Sequence, residues 1–520
     1  MKKGINKIKK SHLLSIKTDK VKIILNFILY IIIRLNFITS FKTSHFICFK
    51  YSYIRLKING IGSYKVFSNY HEYGINSHNF NEPNEVHINN IYQSEVKYNY
   101  NLNQTENIID LIWNDNYKIN IMLTCHLFRD CKNILEIDLT HFNTSNIICM
   151  EYMFYGCNAL TSIIFGNFDT SKTTNMQYMF GNCNSLKYLD LSSFNTSKVK
   201  TMRYMFTNCM NLNYIKQNFD TSLVNGTQSM FSNCSSLICL NLSNFNTSLI
   251  EYMYNMFTNC SSLTYLDISN FKTSNVNSMF SMFANCTSLT SLNLKSFDTT
   301  KVSYIYSMFE GCSSLISIDL SNFYLPKIDN VKNMFYGCSS LTSLNLSNFK
   351  SNSQTYIQNY DNLFYNCSSL FFLDISNLKF VQSNSYMSYM FYGCSKLKYV
   401  NLEKIYFGMG YNNIRSNLYS LNNEIIVCGS SDFFLYDNSL CEIGTYCINN
   451  IYGIYGLVYG YNCKIKCINN VNFTCPYYYP ENIEFNEDYL YYCNSSNYIE
   501  INHNIKDNII TTESIILKRV

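Results

Sequence analysis

The apolar residues in the middle of the chain recur with a period of about 26 residues. A Met-Phe-x-x-Cys-x-x-Leu pattern is repeated eleven times with small variations, and successive cysteines are 25 to 29 residues apart. The repeat cysteines are Cys131, Cys157, Cys183, Cys209, Cys234, Cys260, Cys286, Cys312, Cys338, Cys367 and Cys394. Repetition at a fixed period of this length predicts a solenoid, because one unit alone cannot bury its apolar side.

The unit Cys183–Phe206 illustrates the local prediction. Leu186, Leu189 and Leu191 form an L-x-x-L-x-L pattern in which the last two leucines alternate with polar residues. Residues two apart lie on the same side of a strand, so these leucines predict a strand with one buried face.

The second half of the same unit predicts a short helix. Residues 195–197 read Asn-Thr-Ser, whose side-chain oxygens suit the start of a helix. Val199, Met202, Met205 and Phe206 then recur at helical spacing. The predicted fold is therefore an α/β solenoid of strand–short-helix units, over about residues 108–405 and about eleven to twelve units.

The repeat resembles a known family through the consensus C-x-S-L-x-x-L-[DN]-L-S-x-F-[ND]-T-S-x-V-x-x-M-x-x-M-F. Leu237–Phe257 and Leu289–Phe309 carry this pattern well. It resembles the BspA-type leucine-rich-repeat surface proteins, also described through mycoplasma lipoprotein repeats. The resemblance implies a right-handed leucine-rich-repeat superhelix, a secreted or cell-surface location, and adhesion or host-protein binding without catalysis.

A column of polar residues is predicted on the exposed, concave face of the strands. Its central position is Asp or Asn in nine of the eleven units, and aromatic residues lie beside it. The predicted ligand-binding residues are Tyr188, Asp190, Tyr265, Asp267, Asn293, Asp319, Asn345, Phe372, Asp374 and Tyr399. The ligand would be an extracellular protein or a glycan. A calcium site and a merely solvated amide ladder are the alternative interpretations of the column.

The cysteines fall into two groups with different expected chemistry. The repeat cysteines occupy one equivalent position in every unit, which favours buried thiols over disulfides or metal ligands. The second group is irregularly spaced and comprises Cys428, Cys441, Cys447, Cys463, Cys467, Cys475 and Cys493. This density predicts a small disulfide-stabilised module at 428–493, with a four-cysteine zinc site as the alternative. Because seven is odd, one of these cysteines is left free, paired with Cys48 or Cys125, or linked to another chain.

The two ends of the chain differ from the repeat region. Residues 1–40, with lysines before the apolar run 23–33, predict a signal peptide or a signal anchor; a buried element of a cytosolic domain is the alternative. Residues 41–107 read as a poorly defined leader and N-terminal cap, 406–427 as a cap or linker, and 494–520 as a polar tail. The sequence does not fix the oligomeric state.

Charge and histidine positions exclude several functions. Eight of the 40 basic residues and one of the 35 acidic residues lie in the first 22 positions, so the formal charge of +5 is local to that segment. The remainder lacks the basic excess that nucleic-acid binding requires. No histidine lies between residues 142 and 502. We therefore predict a protein that is not an enzyme and has no cofactor. An intracellular scaffold, or an enzyme using His71, His78 or His87, is the competing hypothesis.

Overall fold

The structure is a computed structural model that describes residues 51–68, 82–114, 124–347, 349, 357–378 and 386–402. It also describes the backbone of seven short strands beyond residue 425. Residues 1–50 lie outside the described residues, and so does the predicted signal segment. The same holds for His71, His78 and Cys48, and for most of residues 406–520.

The described chain is built from short strands. The first six are β1 (Tyr51–Asn59), β2 (Gly62–Lys65), β3 (Glu85–Ile88), β4 (Ile91–Tyr92), β5 (Asn99–Leu102) and β6 (Glu106–Asn114). The repeat region contributes β7 (Ile134–Asp138), β8 (Ser162–Ile164), β9 (Tyr188–Leu191), β10 (Tyr214–Gln217), β11 (Cys239–Asn241), β12 (Tyr265–Asp267), β13 (Ser343–Asn345), β14 (Phe372–Asp374) and β15 (Tyr399–Leu402). The last seven are β16 (Ile426–Gly429), β17 (Tyr446–Asn449), β18 (Leu457–Tyr459), β19 (Lys464–Lys466), β20 (Asn472–Thr474), β21 (Tyr491–Cys493) and β22 (Ile499–Ile501).

The first strands form an antiparallel cap on the end of the repeat region. The sheet order is β4-β3-β6-β1-β7-β8, and β1 pairs antiparallel with both β6 and β7. Ile54, Leu56 and Ile58 of β1 are fully buried and alternate with polar residues. Residues 109–113, where the sequence predicted the solenoid to begin, lie within β6, which belongs to this antiparallel cap and not to the parallel stack.

The repeat region is a β-solenoid in which successive units stack in parallel. β9 pairs with β10, β11 with β12, and β13 with β14 and then β15, each in parallel register. A second parallel ladder links the other half of the units through single bridges, among them Thr201 to Gly226 and Gly226 to Tyr252. Units in which both segments pair therefore contact their neighbours along two ladders.

The short helix predicted at Val199–Phe206 is wrong for the described residues, none of which forms a helix. The N–H groups of Met202, Tyr204 and Phe206 donate to carbonyl oxygens of the next unit at 2.9 to 3.1 Å. A helix would keep these bonds within its own segment. The apolar residues at helical spacing still point inward, because a series of tight turns brings them to the same side.

Backbone conformation explains why the segment turns where a helix was expected. Tyr204 and Asn208 have φ values of 57° and 60°, a left-handed conformation that cannot continue a right-handed helix. The position before the repeat cysteine is Asn, Gly or Asp in every unit, the residues that tolerate this conformation best. This turn chemistry is encoded locally in each repeat.

The core consists of columns of identical side chains. Eleven phenylalanines from Phe128 to Phe391 stack in one unbroken column, with ring centroids 5.4 to 5.9 Å apart. Burial of one such ring stabilises the fold by roughly 1.5–3 kcal/mol. Because each ring packs on its own copy, the column also holds the units in register.

The repeat cysteines form a second column beside these rings. The thiol of every repeat cysteine from Cys157 to Cys394 donates to the carbonyl oxygen of a phenylalanine one unit back, at 3.0 to 3.2 Å. These ten cysteines are buried and are not in disulfides. A separate disulfide joins Cys125 to Cys149 in the first unit, so Cys125 is not the partner of a C-terminal cysteine.

Removal of one ladder thiol should measure its contribution to stability. Cys260 is fully buried and donates to the Phe231 carbonyl at 3.1 Å. We expect Cys260→Ala to lower the free energy of unfolding by about 1–2 kcal/mol, because the variant loses a hydrogen bond and leaves a small cavity. Urea unfolding measures the difference, with the exposed Ser193→Ala as the control. An unchanged midpoint would mean that neither the hydrogen bond nor the packing of the thiol contributes measurably to stability.

The buried thiols should also make stability depend on pH. Burial raises the pKa of Cys209, Cys260, Cys312 and Cys394 from 9.0 to about 12. Between these values the unfolded chain releases protons that the folded chain keeps, so the free energy of unfolding should fall as the pH rises above about 9. Urea unfolding across this range should show a shallower fall for Cys260→Ala than for the native chain. Equal slopes would contradict the assignment.

Candidate functional site

The best candidate for a binding surface is the outward side of the strands, which we call the strand face. Alternation puts Leu189 and Leu191 of β9 into the core and leaves Tyr188 and Asp190 half-buried on the outer side. The same pattern repeats in β10 and β12, where Tyr214 and Tyr265 hold the position of Tyr188. The parallel register therefore aligns equivalent outward residues into rows along the solenoid.

The Asp and Asn row has a structural role that is visible in its hydrogen bonds. Each Oδ1 atom accepts a bond from the backbone N–H two residues later, which fixes the turn after the strand. The described pairs are Asp138–Thr140 (2.8 Å), Asp190–Ser192 (3.0 Å), Asn241–Ser243 (2.9 Å), Asp267–Ser269 (3.0 Å), Asn293–Lys295 (3.1 Å), Asp319–Ser321 (2.9 Å), Asn345–Ser347 (2.7 Å) and Asp374–Ser376 (2.9 Å). Turn formation therefore accounts for the residue type in this row.

An amide ladder does run along the solenoid, but at another position. The side-chain nitrogens of Asn208, Asn233, Asn259 and Asn285 each donate to the Oδ1 of the asparagine one unit back, at 2.6 to 2.9 Å, beginning at Asn182. These asparagines precede the repeat cysteines and do not lie in the strand row. The ladder interpretation of the strand row is thus replaced by turn formation.

The strand face has a structured patch at β9 and β10. The rings of Tyr188 and Tyr214 stack with centroids 5.8 Å apart. The Nζ atom of Lys216 lies 3.2 Å from Oδ2 of Asp190, whose other oxygen accepts from the Ser192 N–H and hydroxyl. Burial acts to raise the pKa of Asp190, but the Ser192 and Lys216 bonds outweigh it and lower that pKa. The patch thus combines aromatic area with a fixed ion pair.

The other predicted site residues are spread along the same face. Tyr265 and Asp267 lie on β12, Asn345 on β13, and Phe372 on β14. Asn293 and Asp319 lie in units whose backbone does not form a regular strand.

Two of the predicted binding residues, Asp374 and Tyr399, differ from the others. Asp374 is only 7% exposed, so it is less available to a ligand than the sequence predicted. Tyr399 belongs to β15, but its side chain lies outside the described residues.

The strand face continues into the cap, which the sequence analysis did not find. In the sheet register, Arg55 of β1 lies opposite Asp138 on one side and Asp110 on the other, and His87 follows opposite Asp110. These side chains are half-buried and extend the Asp/Asn row by three strands. The alternation of polar and apolar residues in 51–59 was the available signal.

The cap part of the face is charged and tightly paired. The guanidinium of Arg55 donates to both oxygens of Asp110, at 2.5 and 2.8 Å, and these bonds raise the pKa of Arg55. Burial raises the pKa of Glu136, and the nearby Lys57 opposes that shift. Bidentate arginine–carboxylate pairs are geometrically specific, so this end of the face is well ordered.

The described residues lack a cluster of metal ligands, and their repeat thiols are held protonated. Within the ranges that the structure describes, no group of three or more His, Cys, Asp or Glu side chains is placed to hold a metal ion. The buried thiols from Cys157 to Cys394 have raised pKa values, which suppress the thiolate form that a nucleophile needs. None of the described segments forms a helix able to span a membrane.

The C-terminal cysteines are only partly visible. In the antiparallel pair of β16 and β17, Cys428 lies opposite Cys447 in the backbone register. Cys493 ends β21. The side chains of these three residues, and Cys441, Cys463, Cys467 and Cys475 as a whole, lie outside the described residues. The predicted disulfide module therefore stays a prediction.

Comparison with solved structures and curated proteins adds context. A plant peptide hormone receptor, RGFR1 in complex with RGF2, matches with 13% sequence identity and a TM-score of 0.18. The match covers 57% of this chain and 63% of the receptor chain, so it spans less than two thirds of the receptor. No curated protein matches the chain.

A family model provides the stronger comparison. The model described as "Mycoplasma protein of unknown function, DUF285" matches residues 124–240, 228–349 and 319–405. Together these overlapping matches span the repeat region and more than half of the 520 residues. The more specific BspA-type resemblance stays a prediction. On the evidence of the repeat, the chain belongs to this family of Mycoplasma proteins of unknown function, DUF285.

Proposed function

We propose that the chain is a non-catalytic binding protein of the cell surface or of the secreted fraction, which recognises a protein ligand on its strand face. The observation that carries the proposal is the outward row that leads from His87 and Arg55 of the cap, through Asp138, to the first repeat unit. Solenoids use extended faces of this kind to bind partners. The competing function is an intracellular scaffold with the same binding face.

The chemistry of the face supports a protein ligand. Tyrosines at 188, 214 and 265 supply the aromatic side chains that are enriched in interface hot spots. The ion pair of Asp190 and Lys216 supplies fixed charges that can set the orientation of a partner. A rigid, ordered face also loses little conformational entropy on binding.

The proposed location rests on the cysteine chemistry. The disulfide between Cys125 and Cys149 is of a kind that persists in oxidising compartments. The ten repeat thiols from Cys157 to Cys394 would survive such a compartment, because burial keeps them protonated and inaccessible. A chain that holds one such disulfide together with buried thiols is therefore compatible with export.

The binding proposal is tested by a variant that changes the face but keeps its turns. We expect Tyr188→Ala, Asp190→Asn, Tyr265→Ala and Asp267→Asn, combined in one chain, to weaken binding at least tenfold. Asparagine retains the Oδ1 acceptor that forms each turn, so the fold should be preserved. The probes are peptides selected from a random display library on the native full-length chain, and affinity is measured by calorimetry.

A matched variant controls for the loss of tyrosine alone. Tyr324 is 42% exposed and lies outside the strand face, so Tyr324→Ala should leave affinity unchanged. Equal affinity of the selected peptides for the native chain and the fourfold variant would reject the strand face as the binding site.

The location is tested on intact cells with two readouts. An antibody against the chain should label non-permeabilised cells or the culture medium, and alkylation of the denatured, unreduced protein should leave Cys125 and Cys149 unmodified. An intracellular scaffold would instead be labelled only after permeabilisation, with both cysteines alkylated in the denatured, unreduced protein. That outcome would exclude export.

A further inference from the structure

The second ladder of the solenoid carries aromatic residues that the proposed function does not use. Tyr252, Ser278 and Tyr304 are consecutive members of this ladder, paired by parallel bridges. Tyr252 is 38% exposed and Tyr304 is 53% exposed. The serine therefore lies between two exposed aromatic side chains of the neighbouring units.

An adjacent column forms a wall beside this serine. Tyr254, Phe280 and Tyr306 lie two residues further along each unit, and their rings stack at 4.7 and 4.9 Å. Tyr252 contacts Tyr254 edge-on at 6.3 Å. These three units all carry an aromatic residue at this second position, whereas at the first position Ser278 lies between two tyrosines. Six side chains define this place, which we call the Ser278 rung: Tyr252, Tyr254, Ser278, Phe280, Tyr304 and Tyr306.

The hydroxyl at the centre of the rung lacks a hydrogen-bond partner. Ser278 is 3% exposed, and its Oγ atom is buried without a donor or acceptor in reach. Buried polar atoms are nearly always paired, so an unpaired one marks a place that a ligand or water can complete. The backbone carbonyl of Ser278 is already used by the N–H of Met253 at 2.9 Å.

The spacing of the ladder defines what fits at the rung. Tyr252 and Tyr304 belong to units two apart, so their backbones are separated by two strand spacings, or about 9.6 Å. In the adjacent column, the ring of Phe280 lies 4.7 and 4.9 Å from the rings of Tyr254 and Tyr306. A six-membered ring held at the height of Ser278 would therefore lie about one stacking distance from rings at the heights of Tyr252 and Tyr304. Because Ser278 is covered, a ligand reaches its hydroxyl only if the exposed side chains of Tyr252 and Tyr304 move apart.

We propose that the Ser278 rung binds one pyranose ring of a neutral glycan. The apolar C–H faces of the sugar would pack against Tyr252 and Tyr304, and a sugar hydroxyl would bond Ser278 Oγ. None of the six side chains carries a formal charge at neutral pH, which fits an uncharged ligand. An apolar ring from a peptide would leave the serine hydroxyl unpaired, which is unfavourable in a buried site. This site is independent of the strand face.

The test uses the full-length chain and a panel of neutral oligosaccharides made of glucose, galactose, mannose or N-acetylglucosamine. At least one should bind on an array, and calorimetry should then give its affinity. Tyr252→Ala and Tyr304→Ala should each weaken that affinity about tenfold or more, and Ser278→Ala should weaken it about tenfold. Ser278→Tyr should abolish binding, because the new ring fills the place of the sugar.

Controls separate this site from a folding effect and from the strand face. Tyr324→Ala and the fourfold strand-face variant should bind the sugar with native affinity. Ser278→Ala should unfold at the native temperature, because it removes an unpaired hydroxyl and leaves the backbone unchanged. If Ser278→Tyr fails to fold, the sugar affinity of Ser278→Ala still tests the proposal.

Three results would overturn the proposal. They are the absence of binding to every oligosaccharide in the panel, native sugar affinity in Ser278→Ala and Tyr304→Ala, and loss of peptide binding instead of sugar binding in the Tyr252 and Tyr304 variants. The last result would assign the rung to an aromatic side chain of a protein partner.

Discussion

The structure depends on one constraint: each residue of a unit lies over its counterpart in the next unit, at about one strand spacing. A side chain is therefore favourable only if it packs or hydrogen-bonds with a copy of itself or with the backbone of the neighbouring unit. Phenylalanine meets this condition by stacking, from Phe128 to Phe391. Asparagine meets it by donating to the amide one unit back, as Asn233 does to Asn208. Buried threonines meet it through the backbone, because the Thr221 hydroxyl donates to the Asn246 carbonyl and accepts from its N–H.

The same constraint explains why the ten repeat cysteines from Cys157 to Cys394 remain thiols. Stacked cysteines are close enough for a disulfide, yet pairing would use two units and interrupt the column. The carbonyl of the neighbouring unit accepts each thiol at 3.0 to 3.2 Å, so every unit can use one identical interaction. The Cys125–Cys149 disulfide lies where the column begins. Different positions in one repeat thus give cysteine two chemical states.

Repetition made the stacked part of the fold predictable, and the same repetition obscured its details. Strand periodicity placed Leu189 and Leu191 correctly in the core. The spacing of Met202, Met205 and Phe206 also suits a helix, so the left-handed turn at Tyr204 could be inferred only from the backbone.

The Asp and Asn row suggested a ligand site, because a sequence shows residue type and not the turn bond that uses it. Arg55 and Asp110 were missed because 55 residues separate them, and only the antiparallel cap joins them. The Ser278 rung was invisible for a related reason, since an unpaired hydroxyl has no signature in a sequence.

The one shortened unit shows how the solenoid can change during evolution. Between Cys209 and Cys234 one residue is missing after β10, and the Gln217 side chain accepts from the Phe219 N–H in place of the usual aspartate or asparagine. The bridges on both sides of this unit, at Thr201–Gly226 and Gly226–Tyr252, are intact. The substitute hydrogen bond of Gln217 therefore leaves the stacking of the next unit unchanged. Gene duplication or deletion of whole units should therefore lengthen or shorten the molecule without a new core, while point changes on one rung diversify binding.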